Sequence, residues 1–199
     1  MHWRIGLCLL LLSSVGWAKG ALEVQYSYWR SASPASLAQV KSQPVANWQR
    51  VAKLGSYGFD DAEYWVKLDI QNKSPQPQSR IFRFVYPVLD EVDIYHFVDE
   101  VLNLEWHLGD TVPGIVRDVH EKSPAFKLTL FPHQHSKIYI RVVGINAMVL
   151  TMEVLDDSQH DALVQTSILI SGLVYGILLV MALYNLSLAV SIFDRAYFY

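Results

Sequence analysis

The sequence predicts an all-β fold, an antiparallel β-sandwich followed by one transmembrane α-helix, and three features of the 199-residue chain carry that reading. Short runs of alternating apolar and polar residues, separated by turn residues, fill the middle of the chain. Period-two alternation puts one side of each run in a core and the other in water. Residues 162–193 hold no charged side chain, and such a stretch is long enough to cross the ~30 Å hydrocarbon layer of a bilayer. Residues 1–18 are also apolar but too short to span it.

The chain opens with Arg4, an apolar core from Ile5 onward and a small-x-small ending at Gly16-Trp17-Ala18. That is the layout of a secretory signal peptide, so the mature chain is expected to begin near Lys19. The only cysteine, Cys8, lies inside this leader. The body can therefore form no internal disulfide. Most of the apolar segment follows Cys8, which argues against a lipid-attachment site.

The sandwich is expected over residues 21–157. Residues 22–28 read as a first strand, and residues 34–40 as a short helix with Ser33 at its cap and Pro34 at its first position. In the run 64–71, Tyr64, Val66, Leu68 and Ile70 share a face that belongs in the core, while Trp65, Lys67, Asp69 and Gln71 share the opposite one. A polar turn at 72–77 leads to 80–86, where Phe82, Phe84 and Tyr86 alternate with Ile81, Arg83 and Val85. The run 91–97 is expected to pair with 102–108 as a hairpin. Strands over 125–130, 137–143 and 148–155 complete the body.

The transmembrane helix is expected over 165–193, with 194–199 beginning a cytoplasmic segment. Asp156, Asp157 and Asp161 precede the span and Arg195 follows it, and positive residues favour the cytoplasm. Together with the leader, this places the chain in a bacterial inner membrane with its soluble domain in the periplasm and its C-terminus inside. Tyr184 and Asn185 within the span are polar groups that favour protein neighbours over lipid, which implies further helices of a membrane bundle as partners.

A formal net charge of -3 without a Lys/Arg block excludes a nucleic-acid backbone as a natural partner. No nucleophile-elbow pattern or Cys/His pairing supports catalysis, so no enzyme activity and no cofactor are expected. His133-x-His135, beside Pro132, reads as a solvated turn rather than a metal site.

The candidate ligand-binding residues are Trp65, Lys67, Asp69, Asp90, Tyr139 and Arg141. Trp65 would present a flat ring beside Lys67 and Asp69, a combination suited to stacking on a sugar and bonding its hydroxyls. The competing reading covers that face and makes Trp65 core. Arg141, on the Tyr139 face of its strand, and Asp90 could hold ligand hydroxyls, or serve as structural links by pairing with each other or another charge.

Leu54-Gly55, Phe59 and Ala62-Glu63-Tyr64-Trp65-Val66-Lys67-Leu68, then Asn72, Tyr86-Pro87-Val88-Leu89-Asp90-Glu91-Val92-Asp93-Ile94-Tyr95, Gly109-Asp110, Pro124-Ala125-Phe126-Lys127-Leu128 and Ile138-Tyr139-Ile140-Arg141-Val142 follow one another in an order and spacing that resembles the type 2 extracellular domain of the 7TMR-DISM family, bacterial seven-transmembrane receptors with diverse intracellular signalling modules. Gly172, Tyr175-Gly176, Ala182-Leu183-Tyr184-Asn185 and Asp194-Arg195-Ala196-Tyr197-Phe198-Tyr199 are similar to the first helix of that family's membrane bundle. The resemblance implies a jelly-roll-like sandwich that binds carbohydrate or another small molecule, with Asp90 and Arg141 at family positions. It also implies a receptor whose bundle continues through six more helices to an output such as a diguanylate cyclase or histidine kinase. The present sequence ends after the first of those helices, as a fragment, a truncated product or a short membrane-tethered binder would. The leading expectation is a periplasmic ligand-sensing module. The alternative is a membrane-anchored assembly or homodimerisation domain that binds no small molecule.

Overall fold

A computed structural model describes residues 22–111, 119 and 123–192. The leader with Cys8, His120, Arg195 and the expected cytoplasmic segment lie outside them. Among the described residues, eleven strands and a long C-terminal helix are arranged as a β-sandwich followed by that helix. One layer is a six-stranded antiparallel sheet in the order β2-β1-β4-β9-β6-β7. It comprises β1 (Leu22–Ser31), β2 (Gln49–Val51), β4 (Glu63–Asn72), β6 (Glu91–Val98), β7 (Val101–Leu108) and β9 (His135–Val143). The opposing layer holds β11-β5-β8 and the pair β10-β3, formed by β3 (Ser56–Phe59), β5 (Gln78–Phe84), β8 (Ala125–Leu130), β10 (Ala147–Val149) and β11 (Met152–Leu155).

The core lies where alternation puts it. Tyr64, Val66, Leu68 and Ile70 of β4 pack with Val92 and Ile94 of β6 and with Ile138, Ile140 and Val142 of β9, against Phe82, Phe84, Phe126, Leu128 and Leu130 from the other layer. Phe82 stacks on Phe126 at 5.1 Å, and Trp106 closes the β7 side of the same aromatic group at 5.2 Å from Phe126. No residue of the C-terminal helix belongs to a core cluster, so the sandwich carries its own hydrophobic interior and can fold as a unit.

Two expectations need correction. The helix α1 spans Leu37–Lys41 and is capped by Ser36, not Ser33. The reason is reciprocal pairing: the Gln39 N–H donates to Ser36 Oγ and the Ser36 N–H donates to Gln39 Oε1, a capping box that satisfies two donors at once. A 3-10 turn at Val45–Asn47 follows it. The run 148–155 is two strands, because the chain changes partner at Leu150: β10 pairs with β3 and β11 with β5. The small strands β2 and β3 were not foreseen, being too short for alternation to register.

Helix α2 (Asp157–Ile192) begins directly after β11, with Asp156 alone between them. Asp156 Oδ1 accepts from the Gln159 N–H at 2.8 Å, and Gln159 Oε1 accepts from the Asp156 N–H at 3.0 Å. This second reciprocal cap satisfies two backbone donors at the junction. Lys127 of β8 reaches over to Asp157 Oδ1 at 2.7 Å. At 1.5 Å per residue α2 is about 54 Å long. Its apolar side chains are exposed all round, with Ile168, Leu169, Val174, Tyr175 and Val180 between 48% and 73% accessible. A helix apolar on every side requires lipid or other helices around it.

Candidate ligand-binding face

The outer face of the six-stranded sheet gathers the residues singled out from sequence. Strand register sets them in rows: Trp29, Trp65, Arg141, Asp93 and His107; then Ser27, Lys67, Tyr139 and Tyr95; then Gln25, Asp69, Lys137 and Phe97; then Glu23, Gln71 and His135. Trp65, Lys67, Asp69, Tyr139 and Arg141 therefore do share one surface. Asp90 stands outside it, in the approach to β6.

Part of this face is covered. The segment carrying α1 and the 3-10 turn folds back over β4 and β9, and Val40, Trp48, Trp65, Phe97 and Tyr139 form a second apolar cluster. Trp65 is only 1% accessible, stacked beside Tyr95 at 6.3 Å. Tyr139 lies edge-on to Phe97 and Trp48 at 5.8 and 6.2 Å. Trp65 is thus no open platform: the covering segment buries it, as the competing reading of that face held. Tyr139 is buried for the same reason. Lys67 is half-buried, its Nζ 4.6 Å from the centre of the Trp48 ring, a cation–π contact. Burial lowers its pKa.

Beneath the cover is a carboxylate that the sequence reading passed over. Glu63 is 6% accessible. Its Oε1 accepts from the Trp65 indole N–H and from the Ala35 N–H at 3.1 Å, and its Oε2 accepts from Arg141 Nε at 2.8 Å. Arg141 also donates to Asp93 at 2.9 Å and Glu91 at 3.3 Å. Burial works against its charge, but Glu63 and Asp93 outweigh that and hold its pKa above the ordinary guanidinium range. Arg141 therefore ties β4, β6 and β9 together. Asp90 is also a link, though not to Arg141: its Oδ2 accepts from the Ile145 N–H at 2.8 Å, and its carbonyl accepts from Thr111 Oγ1. Gly109 lies against that carbonyl at φ +133°, where an added Cβ would sit 2.2 Å from the Asp90 oxygen.

The rows farthest from Trp65 hold the open part of the face. Glu23, Gln25, Asp69, Gln71 and His135 line a groove of about 230 Å³, which adjoins one of about 220 Å³ lined by Phe97, Asp99, Glu100, His135 and Lys137. His135 Nε2 lies 3.4 Å from Asp69 Oδ1. His135 opens β9 rather than lying in a turn; only His133, at φ +58°, occupies the turn. Carboxylates, amides and an imidazole here offer donors and acceptors side by side, and the Lys137 ammonium is paired with Glu100. The alternation of Glu23 and Gln25 with Leu22 and Val24 was the available signal for this groove. Among the described residues no group of three or more His, Cys, Asp or Glu side chains is placed to hold a metal ion.

Residues 25–156 match the family model described as 7TMR-DISM extracellular 2. That is well over half of the chain, and the protein belongs to this family of receptor extracellular domains. A comparison with curated proteins finds no match. Among solved structures, a GH31 alpha-xylosidase from Xanthomonas citri aligns with a TM-score of 0.31 and 11% identity, over 68% of this chain and 14% of the enzyme. The chain thus corresponds to a small part of that enzyme's length.

Proposed function

We propose that the protein is a periplasmic sensing module that binds a small polyhydroxylated ligand, such as a carbohydrate, in the open groove of the outer face and passes the event to its membrane helix. The observation that carries this reading is the junction of β11 and α2. One capped residue separates a strand of the sandwich from a helix apolar on all sides, so a shift in the sheet has no slack linker in which to dissipate. A ligand acts by favouring one of two such arrangements. Trp65, Tyr139, Arg141 and Asp90 support the face, while Asp69 with His135, Gln71 and Lys137 meets the ligand. In this reading the module performs no catalysis and needs no cofactor.

Calorimetric titration of a soluble fragment, residues 22–163, against neutral saccharides and polar metabolites tests it. At least one class should bind, and Asp69→Ala should weaken that binding tenfold or more. No heat from any member, or unchanged affinity in Asp69→Ala, contradicts the proposal. A second reading, an assembly domain, draws on β7, an edge strand with Val101, Leu102 and Leu104 68%, 45% and 44% accessible. Unpaired, apolar edges favour strand pairing between molecules. A stable dimer in sedimentation, lost in Leu102→Lys, would favour that reading.

A further inference from the structure

A recess larger than either groove of the outer face lies elsewhere. It opens on the side of the sandwich, between β7 and β8, where each sheet ends in an edge strand. The cleft measures about 440 Å³ and is lined by His96, Val98, Asn103, Leu104, Lys127, Leu128, Thr129, Phe131 and Gln134. This volume lies within the range of small-molecule sites, which are mostly apolar with a few placed polar groups. Val98, Leu104, Leu128 and Phe131 supply the apolar wall, and Leu104 and Phe131 remain 44% and 65% accessible although they flank the core.

The polar groups form one chain along the floor. The Phe131 N–H donates to Gln134 Oε1 at 2.9 Å, Gln134 Nε2 donates to Ser136 Oγ at 2.9 Å, and that hydroxyl lies 3.0 Å from His96 Nε2. His96 is 1% accessible, and burial holds its pKa down, which favours the uncharged imidazole. Its other nitrogen meets Asn103 Nδ2 only at 3.5 Å, a long contact. The β6–β7 register shifts at His96/Phe97, where His96 faces Leu104 and Phe97 faces Leu102, leaving Asn103 unmatched. Such bulges re-aim a side chain and recur beside functional sites. The one charged residue of the wall, Lys127, has its ammonium committed to Asp157.

We infer that this cleft is a second binding site, for a small uncharged molecule with a largely apolar body and one hydrogen-bonding group, which Asn103 and His96 receive. Nothing in it compensates an ionic head, whereas Leu104 and Phe131 expose apolar surface, with half-buried Val98 and the core residue Leu128 behind them. It does not depend on the outer-face groove. Lys127 gives it a structural connection to the helix, because one residue both walls the cleft and holds the first residue of α2.

The uncharged fluorescent probe N-phenyl-1-naphthylamine, titrated into the 22–163 fragment, tests this. Saturable binding at one probe per chain is expected, weakened at least tenfold by Leu104→Trp, which fills the cleft, and several-fold by Asn103→Ala. Phe59→Ser, which removes an apolar side chain 85% accessible in β3, should change nothing. Absence of saturable binding overturns the inference, as does equal loss in Phe59→Ser or full binding in both cleft variants. If Leu104→Trp fails to fold, Asn103→Ala decides alone. Saccharide binding by the groove is read separately through Asp69→Ala, so failure of one site leaves the other standing.

Discussion

Glu63 shows how a single buried charge organises the outer face. Its oxygens hold a tryptophan indole, the start of the covering segment and an arginine that spans three strands. Removing one partner of such an arrangement leaves the others unsatisfied. Glu63→Ala should therefore cost about 3 kcal/mol in urea unfolding of the 22–163 fragment, and Glu63→Gln clearly less. Two histidines give opposite pH signatures. Burial depresses the pKa of His96, so its contribution is complete above its unfolded value of about 6.5 and is lost as pH falls through the folded value. The hydrogen bond to Asp93 raises the pKa of His107, so its contribution is present below about 6.5 and is lost as pH rises through the folded value. Thermal melts should show that His96→Gln flattens the acid-side fall in Tm, and that His107→Ala costs more at about pH 5.5 than at about pH 8. Alternation put Trp65, Lys67 and Asp69 on one face of β4 and Arg141 with Tyr139 on one face of β9, and the register of the two strands joins them into one surface. Alternation could not reveal that a distant segment lies over Trp65, since cover is a tertiary fact with no local period. Glu63 shares the Trp65 face two residues upstream, and its role was legible only as that proximity.

At the scale of elements, strands long enough for four or more alternations were readable, and β8 falls on the expected 125–130. The break between β10 and β11 was not, because both halves are apolar on matching positions and only the change of partner sheet separates them. Helix α2 extends farther toward the sandwich than its apolar composition indicated: its first turns are polar, and the Asp156 cap starts them. Asp156→Ala should cost about 1 kcal/mol of local helix stability. Hydrogen exchange should register this as faster exchange of the first-turn amides with little change in β9. Equal acceleration in both would mean that the cap stabilises the whole domain rather than the junction.

The whole molecule joins two solvents. A sandwich that buries its core without help from α2 stands in water, and α2 presents apolar side chains in every direction. Membership of a family of receptor extracellular domains fits that division, and the continuous β11–α2 junction gives it a mechanical meaning. The chemistry of the ligand was less legible than the fold, because hydroxyl recognition needs only common polar residues, and what distinguishes Asp69 from other surface aspartates is its place in an uncovered groove. The division itself can be measured in cells. In a Cys8→Ser background the chain has no native thiol, and Phe59→Cys places one at a position 85% accessible on the sandwich. A membrane-impermeant maleimide added to intact spheroplasts should label this cysteine fully, with the labelled chain remaining in the membrane pellet after alkaline carbonate washing. Labelling only after lysis, or release of the chain into the carbonate supernatant, would contradict a water-facing sandwich rooted in lipid by α2.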